Sequence, residues 1–158
     1  MKTKTIEVYE YKELEAKAKE RARNWLLQGH DFEFEWDCIK DDAKNIGLEL
    51  TEWDYGRYCR GALLLDFTQV LASIMKDHGE ACETFKTAKE YQKKYSKLSE
   101  EQILNGEEEE IREDFLKDIL EDYRIQADNQ YEYIQSEEAI EDAMEANDYE
   151  FTKDGKRI

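Results

Sequence analysis

Between Glu107 and Gln135, the residues Ile111, Phe115, Ile119, Tyr123, Ala127 and Tyr131 recur at strict four-residue steps, supplemented by Leu116, Leu120 and Ile134. A helix brings residues three and four apart onto one face, so this stretch predicts a long helix that must bury an apolar stripe. The chain has no proline and only seven glycines in 158 residues, which removes the usual interruptions of such elements. Helices are expected to dominate.

The remaining segments are read by the same periodicities. Residues 3–11 alternate, with Ile6, Val8 and Tyr11 opposite Thr5, Glu7 and Tyr9, which predicts a first strand. Lys12 to Gln28 carries Leu14, Ala18, Ala22, Trp25 and Leu26 on one helical face and should stop at Gly29. A second helix is expected from about Asp31, with Phe32, Trp36, Ile39 and Ala43 inward, closing at Gly47. Leu48 to Asp54 and Arg57 to Asp66 flank Asp54-Tyr55-Gly56 as a hairpin, which with the first strand would make one small sheet. Further helices are expected over Phe67 to His78, with Val70, Leu71, Ile74 and Met75 inward, and over Ala81 to Leu98, with Phe85, Ala88, Tyr91 and Tyr95 inward. Ser136 has the form of an N-cap for a short helix to about Ala146, and Tyr149 to Thr152 suits an edge strand.

Together these elements predict an α+β fold with a small, mainly antiparallel sheet and several helices, including a long acidic C-terminal one. A single domain over 1–158 is expected. It would comprise a near-neutral α+β core over 1–99, an acidic helical region over 100–150 packed on that core, and a tail or edge strand over 151–158. Asn105-Gly106 is the natural internal hinge. Apolar residues make up 40% of the chain and aromatics 12%, so its high charge does not imply disorder.

The charge is segregated. Residues 100–150 hold 20 acidic side chains against Arg112, Lys117 and Arg124, a net of −17, which equals the net charge of the whole chain. Residues 1–99 hold 19 acids against 17 bases, and 151–158 one against three. Such a field attracts a basic protein and opposes direct contact with nucleic acid or an anionic membrane. The expected partner is therefore a basic host or toxin protein, with a nucleic-acid-binding protein as one such candidate, and a homodimer is left open. The candidate contact residues are Glu109, Glu110, Glu113, Asp114, Asp118, Glu121 and Asp122 on the long helix, with Glu138, Glu141, Asp142 and Glu145 on the short one.

Nucleic-acid mimicry is the sharper form of this reading, and charge spacing limits it. Residues 108–134 would span about 40 Å with ten acids and three bases, about one net charge per 6 Å. Duplex DNA carries one per roughly 1.7 Å and a single strand one per roughly 3.4 Å. The long helix alone is too dilute. Laying the acids of 136–146 beside it would approach a single strand, and a dimer could come nearer to a duplex.

Chemistry-bearing patterns are sparse. Three cysteines, Cys38, Cys59 and Cys82, are read as reduced, buried thiols, consistent with a cytoplasmic protein. His78 and Cys82 have the spacing of two ligands on one helix face, but Gly79 interrupts that helix and no Cys-x-x-Cys pair supports zinc. No metal or cofactor is assigned. The same pair as nucleophile and base is the remote enzymatic alternative, set against the neighbouring Glu80 and Glu83, which disfavour a reactive thiolate. A non-enzymatic role is expected, with no catalytic residues.

Trp36-Asp37-Cys38 with Asp42-Ala43 and Gly47, His78-Gly79-Glu80, Cys82 to Ala88, Leu120 to Tyr123, Tyr131-Glu132-Tyr133, Ser136 to Ile140 and Asn147 to Thr152 resemble a family of small acidic bacteriophage and prophage proteins. That family is often labelled antitoxin-like, after toxin–antitoxin systems. The resemblance spans nearly the full length and implies a phage context, the host-cell cytoplasm and a non-enzymatic role. In that context the expected function is inhibition of a host defence or toxin protein, of the anti-restriction or anti-CRISPR type, with an antitoxin as the alternative.

Overall fold

The computed structural model describes residues 1–29 and 32–158, and side chains outside 30–35. The start of the second helix at Asp31 and the inward placing of Phe32 lie outside the described residues. The chain forms two compact units, one of Met1–Phe32 with Gln130–Ile158 and one of Glu33–Asn129.

In the central unit, Glu33–Asn129, α2 (Phe32–Asn45) leads to a hairpin of β2 (Leu48–Asp54) and β3 (Tyr58–Leu63). Then follow α3 (Phe67–Asp77), α4 (Glu83–Ser96), α5 (Glu100–Leu104) and the start of α6 (Glu107–Ile134). Gly47 ends the α2 connection with φ +89, and a Cβ there would press on the Leu65 side chain, so both backbone and space require glycine. The four-residue stripe of α6 packs as its periodicity dictates. Phe115, Ile119, Tyr123 and Ala127 are fully buried with Ile39, Ile46, Leu48, Phe67, Val70 and Ile74. Phe67, Tyr91 and Phe115 meet edge to face, with centroids 5.2 and 5.4 Å from Phe115.

A polar seam runs along the margins of that stripe. Tyr123 donates to Asp42 (2.9 Å), Thr87 to Asp122 (2.6 Å) and Tyr91 to Asp118 (2.5 Å). Asp128, 8% exposed, accepts from Trp53 Nε1 (3.0 Å), from the Gly56 backbone N–H (3.1 Å) and from Arg124 (2.6 Å). A two-stranded hairpin is marginal by itself, and here one carboxylate on α6 holds its turn.

The terminal unit uses both ends of the chain. A 3-10 turn (Tyr11–Glu13) precedes α1 (Ala16–Gly29), and α7 (Glu137–Ala146) follows the end of α6. Tyr11, Leu14, Ala18, Ala22, Ile140, Met144 and Phe151 form its core. Strands β1 (Tyr9–Glu10) and β4 (Glu150–Phe151) pair antiparallel. Gly155, at φ +82, lies where a Cβ would collide with the Ala18 backbone. Ser136 caps α7 by accepting from the Ala139 N–H at 3.2 Å.

The α+β class, the antiparallel strands and the long acidic helix agree with the sequence pattern. Three local expectations are corrected. The first strand shrinks from residues 3–11 to Tyr9–Glu10 and joins β4, not the 48–63 hairpin, giving two two-stranded sheets. Its alternation finds no apolar surface to cover, for Ile6 and Val8 are exposed. The first helix begins at Ala16, not Lys12, because a 3-10 turn closed by the Glu10 and Glu13 carboxylates occupies the preceding residues. Of the cysteines only Cys59 is buried, while Cys38 and Cys82 are exposed. Burial pushes the Cys59 thiol up to about 12. The unpredicted α5 has a readable signal, the capping box of Ser99 and Gln102.

Replacing Asp128→Ala removes the acceptor that the Trp53 indole and the Gly56 backbone N–H share and leaves Arg124 its pair with Glu121, and should lower unfolding free energy by about 2 kcal/mol in urea melts. In the folded protein a thiol-alkylating reagent should modify Cys38 and Cys82 quickly and Cys59 only on unfolding, as read by intact mass against time.

Candidate acidic interaction surface

Helix α6 starts after Gly106, whose φ of +86 turns the chain, and opens with four consecutive glutamates, Glu107 to Glu110. Carboxylates in a first turn complement the unpaired N–H groups and partial positive charge there. Glu109, Glu110, Glu113 and Asp114 are all exposed, and among the described residues none of them makes an ion pair. The pairs Glu109/Glu113 and Glu110/Asp114 set like charges four residues apart, an arrangement that costs about 0.2–0.5 kcal/mol per pair. Counting Glu107 and Glu108 against Arg112, residues 107–114 carry a net of −5 over about 12 Å of helix. That is one charge per roughly 2.4 Å, between single-stranded and duplex DNA, but only over this short length.

Farther along the helix the carboxylates have internal work. Asp118 and Asp122 accept the hydroxyls of Tyr91 and Thr87, and Glu121 holds Arg124 in a bidentate pair with Nε at 2.8 Å and Nη2 at 2.5 Å. Arg124 in turn keeps the Glu121 carboxyl below its ordinary range. Burial pushes the Asp122 carboxyl above the usual aspartate range; the Thr87 hydroxyl opposes this, and the charges of Glu83, Asp118 and Glu121 add to it. Burial and the adjacent Asp118 likewise raise the Tyr91 hydroxyl. These three acids therefore serve packing and helix pairing as well as surface charge.

On α7, Glu138, Glu141, Asp142 and Glu145 form an outward stripe without ion pairs among the described residues, opposite the buried Ile140 and Met144. Glu137, by contrast, faces inward, where Tyr11 donates to it at 2.8 Å and Arg23 pairs with it. Burial pushes the Glu137 carboxyl up, but the Tyr11 and Arg23 bonds with the Arg23 and Lys19 charges outweigh it and hold the group below its ordinary range. Glu141 and Glu145 also border a groove of about 240 Å³ floored by Tyr11, Met144 and Tyr149, where Glu10, Asp148 and Glu150 add carboxylates and Lys12 is the one cation among the described lining residues. Lys12 lies 3.3 Å from Glu10. Asp148 holds a left-handed φ of +50 at the end of α7, where the Tyr149 N–H bonds the Met144 carbonyl at 3.1 Å, a helix stop usually given to glycine.

The eleven acids singled out by sequence thus divide between the units. Glu109 to Asp122 belong to Glu33–Asn129, and Glu138 to Glu145 to the unit formed by the chain ends. Sequence reasoning missed Asp128 and the Asp42–His78–Thr84 cluster, because contacts distant in sequence leave no local periodicity. The His78 Nδ1 is 2.6 Å from the Thr84 hydroxyl and its Nε2 is 3.6 Å from Asp42. Only the Nδ1 contact is within hydrogen-bond distance, and Cys82 stands apart as the exposed N-cap of α4. Thr84 is itself buried, which keeps its hydroxyl from any substrate. Among the described residues no group of three His, Cys, Asp or Glu side chains is placed to hold a metal ion, and no helix is long and apolar enough to cross a membrane.

No family model, curated relative or solved structure matches the chain.

Because the Asp122 carboxyl is raised, the folded state binds its proton more tightly than the unfolded chain does. Its ionisation therefore costs stability above the folded-state pKa. Asp122→Asn, which retains an acceptor for Thr87, should raise Tm at neutral pH. The gain should fade as pH falls and vanish below the ordinary aspartate value of about 3.9, as read by paired thermal melts across a pH series.

Proposed function

We propose that this is a non-enzymatic phage protein that binds and inhibits a basic host-defence or toxin protein, with the acidic start of α6 as its principal contact. The observation that carries this reading is the set Glu109, Glu110, Glu113 and Asp114, exposed, mutually repulsive and, among the described residues, without an ion pair. Charges that only maintain the fold would be expected to find partners, as Asp118, Glu121, Asp122 and Asp128 do. A cationic surface would relieve the repulsion and draw the two proteins together at a salt-dependent rate. The phage setting and the inhibitory role rest on the resemblance to small acidic prophage proteins.

The charge density favours a compact contact over imitation of a long duplex, because the dense segment covers only about 12 Å. A target that binds nucleic acid would still offer the right surface, a short run of Arg and Lys meant for phosphates. The antitoxin alternative requires the same electrostatics with a cognate toxin as the basic partner. Rescue of growth upon toxin expression would favour that alternative, and restored phage infection of a defended host would favour the anti-defence reading.

The decisive variant combines Glu109→Gln, Glu110→Gln, Glu113→Gln and Asp114→Asn. These side chains have no internal partner, and loss of the favourable helix-start charges offsets relief of the like-charge pairs, so stability should stay within about 1 kcal/mol of the parent. Retention of a basic host protein on the immobilised chain should fall at least about tenfold, and raised salt should produce a comparable loss for the parent. Retention of the same target by the variant, unchanged at physiological salt, would reject the electrostatic reading. Nucleic acid that competes for the target would identify the covered surface as its nucleic-acid site.

A further inference from the structure

The end of the central unit where α4 runs through α5 into α6 carries apolar exposure that the fold does not use. Leu104 is 86% exposed and Ile103 41%, both on α5. On either side of them in the chain lie faces of opposite sign. Lys89, Lys93 and Lys97 recur at four-residue steps along α4 and its C-cap, exposed and, among the described residues, without ion pairs, whereas Lys86 and Lys94 pair with Glu83 and Glu90 at 3.0 and 2.9 Å. Glu109, Glu110, Glu113 and Asp114 occupy the first turns of α6. Helices α4 and α6 pack antiparallel, with Thr87 on Asp122 and Tyr91 on Asp118, so the lysine-bearing end of α4 lies beside the acidic start of α6.

We infer that this tip is a self-complementary surface on which two copies of the chain pair about a two-fold axis. Rotation about an axis along the boundary of the two halves sets the basic half of each copy against the acidic half of the other. Residues on the axis meet their own counterparts, and an exposed leucine suits that place because a symmetric interface buries it twice. Lys93 and Lys97 of one copy then face Glu109, Glu110 and Glu113 of the other. Lysines with no carboxylate partner among the described residues of their own chain thereby acquire one, and the acids acquire a cation.

The surface is small. Helix ends and a five-residue helix offer less than the roughly 800 Å² per partner of a standard interface, so the dimer is weak and concentration-dependent. The net charge of −17 on each copy opposes the approach, but at physiological ionic strength screening over about 8 Å leaves the short-range pattern in control. Salt acts on both effects with opposite sign, and charge reversal is therefore the cleaner probe. This inference does not rest on the proposed inhibitory role: it holds or fails with the purified chain alone.

Sedimentation equilibrium of the full chain over a concentration series reads it directly. The parent should dimerise, and Leu104→Asp, at a side chain too exposed to matter for folding, should raise the dimer Kd about 100-fold, roughly tenfold for each copy. Lys93→Glu with Lys97→Glu should weaken self-association, as should Glu109→Lys with Glu110→Lys. All four changes in one chain should restore it, and the two reversed proteins should form a heterodimer when mixed. A parent that is monomeric throughout the series overturns the inference, as does a dimer indifferent to Leu104→Asp and to both charge reversals. Circular dichroism of each variant confirms that lost association is not lost folding.

Discussion

Burial of one face of α6 is the constraint on which the central unit depends. Phe115, Ile119, Tyr123 and Ala127 are fully enclosed, and each large side chain among them contributes about 1.5–3 kcal/mol by leaving water. With that face inward, every acidic residue of the helix must lie at the margin of the stripe or outside it. Those at the margin, Asp118, Asp122 and Asp128, meet hydroxyl, indole, backbone and guanidinium donors. Beyond it, Glu108 and Glu121 meet arginines of their own helix, whereas Glu109, Glu110, Glu113 and Asp114 are exposed and, among the described residues, make no ion pair. A single packing requirement thus sorts carboxylates of similar chemistry into structural and available groups.

The sorting changes what the excess charge means. Net charge by itself describes a diffuse field, whereas four exposed carboxylates within two helical turns describe a local concentration of charge, which is the contact proposed for a basic partner. The same turns lie next to an unpaired lysine stripe and an exposed leucine. The proposed contact with a basic target and the proposed pairing between copies draw on one surface, so the two would compete for it.

The terminal unit follows a different economy of interactions. Its core is smaller, and two polar ties secure it: Glu137 takes both the Tyr11 hydroxyl and Arg23, and Arg21 pairs with Asp154. Trp25 stands edge-on to Tyr149 at 5.1 Å while Arg157 lies 4.9 Å from the Tyr149 ring, so the C-terminal residues are held by aromatic contacts more than by their two-residue strand. Two hydrogen-bonded residues per strand could not hold that register alone.

What the sequence by itself determined are the features that repeat locally: the α6 stripe, the hairpin about Tyr55-Gly56, the Ser136 cap and the acidic bias of residues 100–150. Helical and strand periods are properties of neighbouring residues, and they survive without knowledge of the partner surface. The failures share the opposite property. Alternation over residues 3–11 looked like a strand, but pairing needs an edge elsewhere in the chain, and only Glu150–Phe151 supplied one. Three cysteines looked alike, yet only Cys59 faces the core. Above all, sequence alone could not tell Asp118 or Asp122 from Asp114, since all are acids on one helix. Only the tertiary structure decided that question, because a carboxylate becomes structural when a donor from another element reaches it and remains available when none does.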